Sequence, residues 1–228
     1  MAADLALIRL LQLTNPALPV GAYTYSQGLE WAVESGTIRG EADAGRWIGD
    51  LLEHGIGRFE GPLLARLIAA WQAADLATVQ RLNSDFLASR EAAELRAETV
   101  QMGFSLRRLL ADLRDERLGS LRGALEPWPE IAFPTVWAAL AAAWSIDAQA
   151  AVGAYLWAWV ENQVMAALKA VPLGQAAGQR LLAELGERIP AIAEAALTLP
   201  ESAWSNLAPA FALSSVRHET QYSRLFRS

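Results

Sequence analysis

Few side chains in this sequence could carry out bond-making or metal chemistry, and their spacing forbids most of it. His54 and His218 are the only histidines, Lys169 is the only lysine, and cysteine is absent. A zinc or di-iron centre needs His, Cys or clustered carboxylates at fixed spacings. Here the two histidines are far apart, neither completes a His-Glu-x-x-His pair, and no Glu-x-x-His occurs. Carboxylates alone would bind a metal weakly. Ala170 follows Lys169, so the lysine cannot belong to a Walker-A loop, which places Ser or Thr there. No Gly-x-Ser-x-Gly elbow marks a nucleophilic serine, although a Ser–His–Asp set assembled from distant residues stays open. His54 is expected to be a partly exposed helix side chain. No resident metal or cofactor is expected.

Two other segments have side chains suited to recognition rather than reaction. The first runs Pro16-Ala-Leu-Pro-Val-Gly-Ala-Tyr-Thr-Tyr-Ser-Gln-Gly-Leu-Glu30. Pro16 and Pro19 stiffen it and push Asn15 and Leu18 towards extended backbone. Gly21 frees a turn. Thr24 with Gln27 three residues later fits a capping box, and Glu30 in the first helical turn suits the helix dipole. Tyr23 and Tyr25 are amphipathic rings in a polar loop, a pairing that suits a protein interface.

The second segment closes the chain: Ser214-Ser-Val-Arg-His-Glu-Thr-Gln-Tyr-Ser-Arg-Leu-Phe-Arg-Ser228. Residues 216–228 hold Arg217, Arg224 and Arg227 against Glu219, a local charge of +2. The whole chain carries −6, so residues 1–215 carry −8. Ordering a chain opposes folding by about 1–2 kcal/mol per residue. Burying Val216, Tyr222, Leu225 and Phe226 returns less than this tail would need. Its ordering therefore requires hydrogen bonds and ion pairs from its own domain or from a partner, and folding on binding is the expectation.

The elements that must position these segments are helices. Alanine and leucine dominate, and no period-2 strand pattern stands out. Leu63, Leu64, Leu67, Ile68 and Trp71 mark one helical face, with Pro62 in a first turn. The pattern predicts helices at 4–14, 25–35, 41–60, 62–74, 76–88, 90–117, 135–145, 147–171, 173–186, 189–198 and 203–213. Asp75 is expected to cap the fifth and Gly119 to stop the sixth. Residues 119–134, rich in Gly and Pro, read as a connection. The helices within 135–171 are apolar nearly all round, which places them centrally. The expected architecture is all-α: one compact multi-helix domain over 1–213 and a partner-binding tail over 214–228.

Composition narrows the partners. Apolar residues make up 53% of the chain, enough for a sizeable core. The negative charge argues against nucleic acid. Asp4 and Arg9 interrupt the first apolar run, so no secretory leader is expected. The longest uncharged stretch, 131–146, falls short of the roughly 20 residues that span a bilayer. The lack of cysteine is compatible with a reducing cytoplasm.

At these segments the chain resembles the UreF family of urease accessory proteins. The matching stretches are Leu11-Gln-Leu with Pro16-Ala-Leu-Pro-Val-Gly, Tyr25-Ser-Gln-Gly-Leu-Glu30, Ala170-Val-Pro-Leu-Gly-Gln175 and Arg217 to Ser228. One departure is Ala22-Tyr23-Thr24, where the family more often shows Gly, Phe and Ser; an aromatic ring and a hydroxyl are kept. The resemblance implies an all-α, cytoplasmic homodimer without enzymatic activity. It would join UreD (also called UreH) and the GTPase UreG in delivering nickel to the urease apoprotein. By analogy, Tyr23, Tyr25, Ser26, Gln27, Glu30 and Lys169 face UreG. Arg217, His218, Glu219, Tyr222, Arg224, Leu225 and Phe226 face UreD/UreH. Two alternatives to an adaptor stay open: a regulator of GTP hydrolysis by UreG that supplies a polar finger, and a small helical hydrolase.

Overall fold

The computed structural model describes residues 2–228, with side chains from residue 5 onward. Helix α1 spans Ala2–Thr14 and is followed by a short 3-10 turn at Ala22–Thr24. Then come α2 (Leu29–Glu34), α3 (Glu41–Asp50), α4 (Glu60–Gln72) and α5 (Leu76–Ala88). Next are α6 (Ala93–Asp112), α7 (Gly119–Leu125), α8 (Phe133–Ala143) and α9 (Ala148–Ala170). Helices α10 (Gln175–Thr198) and α11 (Pro209–His218) complete the order. The described residues contain no strand. Leu13 of α1, Phe211 of α11 and Phe226 beyond it share one continuous apolar core, so the chain is a single all-α domain.

Local chemistry explains most boundaries. Asp75 accepts from Thr78 N at 3.0 Å and caps α5, as its position in the sequence suggests. Asp147 does the same for α9 through Ala150 N. In α8, Thr135 through Ala141 are all buried, and the helix packs on α4 and α6. Asn83 serves the start of α8, its Oδ1 accepting from Ala132 N and Thr135 Oγ1 at 2.9 Å each. Gly103 lets α6 approach the chain entering α8: a Cβ there would lie 2.1 Å from Ile131 O.

Several expected boundaries differ, each for a physical reason. The stretch expected as helix 41–60 widens into a π-helical turn at Leu51–Ile56, where Gly57 N donates to Leu52 O. The connection expected at 119–134 contains α7, because Leu118, Leu121 and Leu125 bury one face. Arg107 Nη1 donates to Leu125 O and Trp128 O and closes the end of α7. The helices expected at 173–186 and 189–198 are one continuous α10 through Pro190. Leu185, Ile189, Ala193 and Ala196 bury a single stripe across the proline, which outweighs its missing N–H. Instead of a helix at 203–213, α11 begins at Pro209 and runs through the position where the tail was set to begin.

Candidate partner-binding site

The two end segments, about two hundred residues apart, form one joint. Gly21 is left-handed (φ 77°), and Thr24 Oγ1 donates to Gly21 O at 2.8 Å. Tyr25 is extended, and Gln27 and Gly28 are both left-handed, with φ of 53° and 77°. The expected capping box at Thr24 and Gln27 therefore does not form. Ser26 serves the start of α2 instead: its Oγ accepts from Glu30 N at 3.3 Å. Gly28 is required twice, by its φ and by α11, since a Cβ there would lie 2.8 Å from Ser215 N.

The C-terminal segment folds back over this corner. Ser228 O accepts from Ser26 N, Gln27 N and Ser26 Oγ at 2.8, 3.0 and 2.6 Å. Arg227 N donates to Thr24 O at 2.8 Å. The Glu30 carboxylate accepts from Leu225 N at 2.6 Å and Phe226 N at 3.0 Å, and meets His218 Nε2 at 3.2 Å. His218 is fully buried, with Nδ1 2.7 Å from Glu94 Oε2. A ring carrying hydrogen on both nitrogens donates to both carboxylates. Arg224 Nη1 reaches Glu94 Oε1 at 2.6 Å. Glu219 Oε1 accepts from Ala93 N at 2.7 Å and so caps α6.

A third carboxylate lies beneath. Glu98 is 5% exposed and accepts from Gln27 Nε2 at 2.7 Å and Ser228 Oγ at 2.8 Å. Burial pushes its carboxyl up to about 7. Burial, then the nearby Glu98 carboxylate, raises the Tyr25 phenol above its ordinary value. Gln27 Oε1 accepts from Trp159 Nε1 at 2.7 Å, and Asn162 Nδ2 donates to Tyr25 O at 3.0 Å, tying the corner to α9. Glu98 also lines a cavity of about 380 Å³ between the N-terminal loop, α6 and α9. On the cavity's polar side the Arg90–Glu60 ion pair closes at 2.8 Å, and Tyr155 donates to Glu60 at 2.7 Å.

The joint divides the candidate residues. Tyr25, Ser26, Glu30, His218 and Phe226 are buried, and the polar ones bond within the chain. Gln27 and Glu219 are half-buried and also bond inward. Tyr23, Lys169, Arg217, Tyr222, Arg224 and Leu225 are exposed. Lys169 Nζ lies 6.0 Å from the Tyr23 ring and 5.4 Å from the Phe226 ring, so residues assigned to different partners share one corner. Sequence reasoning missed Glu94, Glu98, Trp159 and Asn162. Glu94 and Glu98 are four apart on α6, a spacing that resembles any solvated helix face. His54 is exposed on the turn after α3.

The fold and this joint define a class: an all-helical protein whose polar side chains here serve its own assembly. Among the described residues no group of three or more His, Cys, Asp or Glu is placed to hold a metal ion. None of the described helices is long and apolar enough to cross a membrane. A model of the UreF family matches residues 38–186. A urease accessory protein UreF of Dechloromonas aromatica is 68% identical over 228 residues, covering all of both chains. Another, from Azoarcus sp. (strain BH72), is 67% identical over 98% of this chain and 96% of its own. A third, from Methylobacillus flagellatus, is 48% identical over the full length of both. The chain belongs to the UreF family of urease accessory proteins.

Proposed function

We propose that this chain is a non-enzymatic adaptor of urease maturation, bridging UreD/UreH and the GTPase UreG. In this reading it works as a cytoplasmic homodimer on the route that delivers nickel to the urease apoprotein. One observation carries the reading: Tyr23, Lys169, Tyr222 and Leu225 stay exposed around a joint in which the buried Ser26, Glu30 and His218 are bonded within the chain. Large apolar and aromatic side chains held outward on a rigid base are the composition of a contact surface. The buried residues of both segments then act as its support, and Lys169 ties the two sides together.

The test is Tyr222→Ala combined with Leu225→Ala. Both side chains are exposed, so the fold and its thermal unfolding should stay within about 0.5 kcal/mol of the parent. Co-elution with UreD/UreH should be lost, and urease activation with it. A double variant that still co-elutes and activates overturns the assignment. Adding the parent chain to UreG separates the regulator reading: an adaptor leaves the GTP hydrolysis rate unchanged, whereas an activator raises it.

A further inference from the structure

Three carboxylates receive the C-terminal segment, and they are not matched alike. Glu30 meets His218, and Glu94 meets both His218 and Arg224. Glu98 meets only neutral donors, the Gln27 amide and the Ser228 hydroxyl. Other ionisable groups around it include Glu60, Arg90, Tyr25 and Tyr155, with Arg227 near Tyr25 on the closing segment itself; Arg90 already pairs with Glu60, and Tyr155 donates to the same carboxylate. Glu98 thus sits between a closed lid, formed by residues 224–228, and the cavity that it helps to line.

We propose that Glu98 makes closure of the C-terminal segment proton-linked, so that the segment is held shut when Glu98 is a neutral acid and loosened when it ionises. A buried carboxylate without a cation is unfavourable. Opening residues 224–228 returns it to water. In the closed state its carboxyl is raised from 4.5 to about 7. Closure is therefore fully favoured below about pH 4.5, weakens as pH rises towards 7, and weakens no further above that. The opening equilibrium should rise about tenfold per pH unit inside this window, up to on the order of 300-fold across it. The latch is a property of this chain alone and does not depend on which partner the segment meets.

Hydrogen exchange at the Phe226 and Arg227 amides of the purified full-length chain reads the opening directly. Rates are corrected for the intrinsic pH dependence of exchange. The parent chain should show the rise between pH 5 and 7 and a plateau above it. Glu98→Gln should lose the part of the slope that Glu98 contributes. Identical pH profiles in the two proteins would overturn the proposal. Ser228→Ala provides a second test should Glu98→Gln fold poorly. It removes a donor to ionised Glu98, so the upper end of the window should move above pH 7. An upper end that stays in place also refutes the latch.

Discussion

Replacing Glu30 by alanine should destabilise the whole joint, and the size of the effect follows from three contacts. The carboxylate accepts from Leu225 N and Phe226 N and faces His218 Nε2. Leu225 is exposed, so its amide can turn to water at little loss. Phe226 N and His218 Nε2 are buried, and each loses a charged partner. Hydrogen bonds to charged groups contribute about 1.5–3 kcal/mol each. Two such losses give about 3–6 kcal/mol, and water entering the vacated space brings the expectation to the lower end, about 3 kcal/mol. At roughly 2–4 °C per kcal/mol for a chain of this size, Tm should fall by about 6–12 °C. Thermal unfolding by circular dichroism and urea titration by tryptophan fluorescence both measure it. Glu30→Gln, which keeps one carbonyl oxygen, should fall between. A Glu30→Ala protein within about 0.5 kcal/mol of the parent would show that these bonds do not hold the segment in solution.

Gly28→Ala should cost more than about 1–2 kcal/mol in urea titration, because the residue is left-handed and its new Cβ meets Ser215. His218→Ala and Arg224→Ala both remove a partner of Glu94, yet they should differ widely. The histidine is buried between two carboxylates, and its loss should cost about 3–5 kcal/mol. The arginine side chain is 39% exposed, and its loss should cost no more than about 1 kcal/mol. Equal effects in the same titration would contradict the burial assigned to His218.

What the sequence made legible divides along a physical line. Helical periodicity and capping residues act over a few positions, so the caps at Asp75 and Pro62's place in a first turn could be read directly. Pro190 and the Gly-rich run before α8 misled, because burial of Leu185 and Ile189, or of Leu121 and Leu125, overrides local propensity. The importance of the two end segments was visible in their composition. Their mutual contact was not: Glu30 meets His218 across 188 positions, and no local pattern encodes such a distance. For the same reason Thr24 looked like the cap for α2, when Ser26 takes that role and also holds Ser228.

The joint has a consequence for synthesis. Ser26 bonds a residue 202 positions further on, and the acceptor of the Phe226 amide lies 196 positions before it. At roughly 5–20 residues per second, the corner at 21–30 waits on the order of 10–40 s for its covering segment to leave the ribosome. Until then Glu30 lacks its buried partners and Gly28 has no helix against it. A nascent chain that stops short of this segment is therefore marked at its opposite end, by an unclosed and protease-accessible N-terminal corner.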